Sequence, residues 1–452
     1  MISIQKGYGK VGISVLVGAL VAWGLYAFYW GHLAAQEQYQ CFLYGESYME
    51  QHLTLGGPLL YAAEWLTQFF ISPIKGAIIV AALLIILQGL TWLVATRNKE
   101  VSCGYYVLSF VPSVCMLWAM MDGNVLLSLP LSATLWMGAA WLSLSPTKRW
   151  AQVLLGVLLT AVLIPSTLPA NFVYYRLIET PTSLLCIPLA ACVFTPILLH
   201  FLPALEKRGT WIIGGLTCAL LLIGGTMVVR SAMQKEQEEF MRFNYLERNK
   251  AWDTIILRAQ SDGVKSREAA ICVNLALAMR GEMQQNMHLT ISQWGEESLL
   301  PEFHGEWQHT MVVSDAFYYM GLINTAQRYA FDAQEAIPNM KKSARCLKML
   351  AETNIVNGDY RVARKYLNLL SQTLYYRQWA QEVLHVIADE QEVEKQPMWQ
   401  KLRKMRVQDD LISTSSRKHQ LKALMEHDST NYLATNYAMV YLSLSNPTNV
   451  AP

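Results

Sequence analysis

The sequence predicts an all-α protein in two parts: a seven-helix transmembrane bundle, then an extracytoplasmic α-solenoid built from helix pairs. Three observations predict it. Seven apolar runs crowd the first half, over Val11–Trp30, Gly76–Ala95, Gly104–Met121, Val125–Leu144, Ala151–Ala170, Ser183–Leu202 and Trp211–Val229. Each is close to the ~20 residues a helix needs to cross a bilayer. Charge is sparse up to Arg230, with 11 Lys+Arg and 8 Asp+Glu, and common beyond it, with 25 and 26. After Met233, apolar residues recur at helical spacing between short Gly and Asn breaks. The expected domains are residues 1–230 in the membrane and residues 231–452 in water.

The basic residues orient the spans. With the N-terminus in the cytoplasm, the inner side holds Lys6, Lys10, Arg97, Lys99, Lys148, Arg149, Lys207 and Arg208, and the outer side only Lys75 and Arg176. Basic residues concentrate on the cytoplasmic side of membrane proteins. Seven crossings from that start leave residues 231–452 outside, in the periplasm if the cell is Gram-negative. The first run is long for a signal sequence, and no small-x-small site follows it, so it reads as an anchor.

The loop over residues 32–75 follows the first span. It opens with a polar helical stretch carrying Glu37, Gln38 and Gln40, and breaks at Gly56-Gly57-Pro58. Pro58 stands where proline starts helices. From Leu59 to Phe70 only Glu64, Thr67 and Gln68 interrupt the apolar residues, and their i, i+3, i+4 spacing puts them on one face. Such a segment is too short to span and suits an interfacial helix.

The acids Glu37, Glu46, Glu50, Glu64, Asp122 and Glu179 all fall on the outer side, and no charged residue lies mid-span. The lack of mid-span charge speaks against ion-coupled transport. The outer acids read as solvated loop residues, or as carboxylates for general base work. In the second reading Glu37 is the first candidate, Glu64 the second, and Arg176 the outer cation that could bind a substrate phosphate or orient the acid. No P-loop, G-x-S-x-G, H-E-x-x-H or C-x-x-C occurs, so neither a metal nor a cofactor is expected. Of the eight cysteines, Cys41, Cys272 and Cys346 would lie outside.

The C-terminal half repeats. Gly321 is followed by Ala326, Ala333 and Pro338 at intervals of five, twelve and seventeen residues; Gly358 by Ala363 and Leu370 at five and twelve, with Tyr375 in the proline's place. That is the pattern of tetratricopeptide units, in which glycine frees the turn and alanines let paired helices approach. A weaker unit surrounds Gly281. Asn431–Ser445 reads as the first helix of a further unit without its partner: either this helix is a cap or the chain is truncated at its C-terminus. Helical-repeat arrays stack to bury their apolar faces and present a surface to proteins or peptides. The balanced charge excludes nucleic acid as a partner; the bilayer and a protein or peptide on the repeats are the expected ones.

The stretch Gln36–Lys75, the seven runs, NLALAMRGEM and AETNIVNGDYRVARKYLNLL together resemble an uncharacterised family of bacterial multi-pass membrane proteins with a tetratricopeptide-like C-terminal domain. The resemblance spans nearly the whole chain, and implies a fold but no activity. In layout the chain is also similar, more loosely, to the polytopic C-superfamily glycosyltransferases: inner N-terminus, long acidic first loop, seven-helix core and external C-terminal domain. That likeness implies a lipid-linked sugar donor at the outer face. Those enzymes place an aspartate early in the loop, where this chain offers Glu37. The leading expectation is a membrane-anchored scaffold; the alternative is a glycosyltransferase-like enzyme.

Overall fold

A computed structural model describes residues 2–177, 181–301, 307–338, 341–408 and 412–445. Among the described residues the regular secondary structure is all helix, without strands. Contacts divide the chain into two units: residues 1–37 with 46–235, and residues 38–45 with 236–452. Eight residues of the first loop therefore belong to the second unit.

The first unit contains α1 (Ile2–Phe28), α2 (Trp30–Gln38), α3 (Glu46–Gln51), α4 (Gly57–Thr67), α5 (Pro73–Ala95), α6 (Val111–Ala119), α7 (Ser128–Ser143), α8 (Arg149–Leu177), α9 (Thr182–Phe201) and α10 (Lys207–Ala232). Five helices are long and apolar enough to cross a membrane among the described residues: Gly9–Phe28, Pro73–Ala95, Arg149–Asn171, Thr182–Phe201 and Arg208–Ala232. They mark a membrane protein. α10 turns Trp211, Leu216, Leu220, Ile223 and Met227 outward, a surface that hydrocarbon accommodates and water penalises.

The other two apolar runs form shorter pieces. The run from Gly104 is a 3-10 helix over Cys103–Phe110 that gives way to α6, with Pro112 in its first turn. Proline has no N–H to offer the carbonyl four residues back, which favours a new helix start there. The run from Val125 yields the 16-residue α7.

α5 packs against α1, α6, α7 and α9. A closed chain of hydrogen bonds joins it to α1 and the 3-10 segment. The Tyr106 hydroxyl pairs with Ser14 Oγ at 2.6 Å, and Ser14 Oγ donates to Gln88 Oε1 at 2.7 Å. Gln88 Nε2 donates to Ser109 Oγ at 2.7 Å, and Ser109 Oγ to the Tyr106 carbonyl at 2.6 Å. Polar side chains within a bundle are retained only when satisfied in this way.

A proline also seats the turn that leads into α4. Pro169, inside α8, has no N–H for the carbonyl of Pro165. That carbonyl accepts the Gly56 N–H at 2.7 Å instead. Gly56 has φ 81°, and a Cβ there would lie 2.5 Å from the Ala170 nitrogen. Only glycine meets both demands.

The second unit runs through α11 (Lys235–Arg248), α12 (Trp252–Asp262), α13 (Arg267–Arg280), the single turns α14 (Met283–Asn286) and α15 (Ile291–Trp294), α16 (Trp307–Met320), α17 (Ile323–Glu335), α18 (Ala344–Asn357), α19 (Tyr360–Leu370), α20 (Arg377–Val386), α21 (Glu390–Glu394), α22 (Pro397–Met405), α23 (Arg417–His427) and α24 (Tyr432–Ser445). α16 pairs with α17, α17 with α18, α18 with α19, and α23 with α24. Gly321 and Gly358, at φ 91° and 85°, make the turns inside two pairs. Ala326, Ala333 and Ala363 are fully buried, and Pro338 is half-buried. Asn431 Nδ2 donates to the Met320 carbonyl at 2.8 Å, satisfying a group that the helix end leaves open.

Candidate functional site

Two residues of the first unit converge on the carboxylate of Glu64. Tyr48 and His52 lie four residues apart across α3 and its last turn, a spacing that puts them on one face. Glu64 comes from the next helix, α4, and is buried at 4% exposure. The Tyr48 hydroxyl donates to Glu64 Oε2. His52 Nε2 lies 3.2 Å from the same oxygen. His52 Nδ1 lies 2.8 Å from the Tyr48 carbonyl oxygen, and a carbonyl only accepts, so Nδ1 donates. The rings of Tyr48 and Tyr61 flank the imidazole, at 4.4 and 5.6 Å between centroids.

Proton counting gives this arrangement its chemistry. With Nδ1 protonated, Nε2 attracts Glu64 only if a further proton lies between them. With that proton in place, the pair is either imidazolium with carboxylate or imidazole with carboxylic acid. Either way one proton can pass between Nε2 and Oε2, which is what a general acid or base requires.

Thr67 and Gln68, on the same face of the segment as Glu64, bond their own backbone, to the carbonyls of Ala63 and Trp65 at 2.8 and 2.7 Å. Glu37 is buried near the end of α2, at 5% exposure. The preceding Gln36 donates from Nε2 to the Val125 carbonyl at 3.1 Å. Both acids are thus withdrawn from bulk water. The Arg176 side chain lies outside the described residues. Reading the sequence missed Tyr48 and His52, although their i, i+4 spacing before the Gly56-Gly57 break was available.

The second unit has its own buried charge centre. Arg345, at the start of α18, donates from Nη2 to Glu247 Oε2 at 2.5 Å and to Asp315 Oδ2, and from Nη1 to Asn244 Oδ1 at 2.6 Å and Gln38 Oε1 at 3.2 Å. One guanidinium serves two carboxylates. Burial, and then the Asp315 charge, push Glu247 up to about 8 against the pull of Arg345. Those same carboxylates hold Arg345 firmly protonated despite its burial.

No curated protein and no solved structure matches the chain. The profile of one family, described only as a family of unknown function (DUF6057), matches residues 6–168 and 164–447. The all-helical chain, with its apolar helices and its second helical unit, belongs to that family.

Proposed function

We propose that the protein is a bacterial inner-membrane scaffold. In this reading the bundle crosses the membrane seven times with its N-terminus in the cytoplasm, and the second unit is a tetratricopeptide-like solenoid that holds a protein or peptide partner outside. The length of the 3-10 run supports a crossing there. Eight residues at ~2.0 Å and nine at ~1.5 Å span roughly 30 Å, the thickness of the hydrocarbon core. The observation that carries the scaffold reading is the stack of helix pairs turned by Gly321 and Gly358 and closed over Ala326 and Ala363. Stacking of this kind leaves exposed apolar residues to a partner, here Phe331, Met398 and Met439. Photo-crosslinkers at those three positions in cells should trap a discrete protein or peptide that a crosslinker at exposed Leu257 does not. Identical products from all four positions would overturn the reading.

The Glu64–His52–Tyr48 cluster favours a second reading, a glycosyltransferase-like enzyme using a lipid-linked sugar at the outer face. Glu64→Gln keeps the size of the side chain and removes the base. Under this reading Glu64→Gln or Glu37→Gln abolishes a membrane glycan at normal protein levels. An unchanged glycan profile in both leaves the scaffold.

A further inference from the structure

The residues Gln38–Gly45 are first-loop residues in sequence and second-unit residues in space. Tyr39, Gln40, Cys41, Phe42 and Leu43 are all buried, and no helix forms between α2 and α3. The Cys41 N–H donates to the Lys342 carbonyl at 2.9 Å, and the Tyr44 N–H to the Gln372 carbonyl at 2.7 Å. Lys342 precedes α18 and Gln372 follows α19, so both carbonyls stand at the open end of one helix pair. Carbonyls past the end of a helix lack a donor within it, and an extended backbone can supply one. Side chains secure the same seat. Gln38 accepts from Arg345, and the Arg377 guanidinium lies 5.8 Å over the Tyr44 ring. A Cβ on Gly45 would come within 2.6 Å of Gln372 Oε1.

The flanks of this segment are the informative part. Glu37 immediately precedes it, and Tyr48 and His52 follow Gly45 by three and seven residues. We propose that Gln38–Gly45 is a strap that couples the helical unit to the acid–imidazole cluster. Docked on the open end of α18 and α19, it fixes where α2 ends and α3 begins; undocked, it frees Tyr48 and His52 from Glu64. Displacement of the strap at the helical unit thereby reaches the cluster through the backbone alone. This goes beyond both functional readings, since it requires neither an outside partner nor a reaction.

Amide hydrogen exchange on the full-length protein in lipid nanodiscs tests it. In the wild type, residues 40–44 should exchange at least about tenfold more slowly than an unprotected chain. Tyr44→Pro removes the N–H that Gln372 accepts, whereas Tyr44→Ala keeps it. The proline variant should speed exchange about tenfold both in residues 40–44 and in α3, and the alanine variant should leave α3 unchanged. Gly45→Leu, which forces Gln372 aside, is the second route to the released state if Tyr44→Pro does not accumulate. Unprotected exchange of residues 40–44 in the wild type overturns the proposal, as does release of the strap without any change in α3.

Discussion

Glu247 shows how much one buried carboxyl can set. Its affinity for a proton is higher in the folded chain than in the unfolded one, at about 8 against 4.5. Between those values the folded state holds a proton that the unfolded state has lost. Its stabilising contribution is therefore full below pH 4.5 and disappears as pH rises through 8. Thermal unfolding of the full chain should show the second unit melting lower at pH 8.5 than at pH 5, and Glu247→Gln should flatten that slope. Arg345→Met leaves the Asp315 carboxylate without its cation and Glu247 without its donor, and should cost ~3–5 kcal/mol at neutral pH. An equal melting temperature for Arg345→Met and the wild type would contradict the role given to the guanidinium. Glu64 supports the same kind of comparison. Glu64→Leu removes the acceptor that Tyr48 and His52 share and should cost ~1–3 kcal/mol, whereas Glu64→Gln retains an acceptor for Tyr48 and should cost less.

At the scale of elements, the bends and turns depend on a few small residues. Gly56→Ala places a Cβ against the backbone of Ala170 at a positive φ, and so pushes the Gly56 N–H off the Pro165 carbonyl. The left-handed backbone alone costs ~1–2 kcal/mol, and the clash adds to it. Gly89→Ala, with nothing within 4 Å, is the control and should not destabilise. A detergent melt that ranks the two variants equally would refute the seating of α4. In the second unit, Ala326→Leu and Ala363→Leu overpack fully buried positions, and each should lower stability by ~1–3 kcal/mol. Unchanged melting for both would remove the close helix approach that the sequence spacing implies.

For the molecule as a whole, the basic-residue asymmetry predicts which side of the membrane each segment occupies. Cysteines introduced at Lys99 and Lys148 should react with an impermeant thiol reagent only after the inner face is opened. One at Tyr360 should react in intact, outer-membrane-permeabilised cells, on a background whose native cysteines are replaced. Labelling of Tyr360 only from the cytoplasm would overturn both functional readings as stated. Orientation matters to the strap as well, because the chain passes between its two units at residues 37–38, 45–46 and 235–236.

What the sequence by itself determined is what contiguous residues carry. Length and hydropathy within one stretch are local quantities, so five of the apolar runs are legible as helices long enough to span. The breaks at Gly321 and Gly358 are local too, because a left-handed turn residue announces itself as glycine. The run before Pro112 was legible as apolar but not as a 3-10 helix, since its pitch depends on the proline beyond it and on Ser109 bonding back to Tyr106. The tertiary structure decided which polar groups meet. Gln38 bonds to Arg345 across 307 residues, Glu247 and Arg345 pair across 98, and Gly56 reaches Pro165 inside another helix. A Gln, Glu or Gly in the sequence does not name its partner. That choice follows from which helix ends the packing brings together, and from the high cost of leaving a buried polar group unpaired once it is there. The candidate site divides the same way. Glu37 and Glu64 could be chosen from the sequence because acids are scarce in the first unit, but the His52 imidazole becomes a neighbour of Glu64 only in the folded chain.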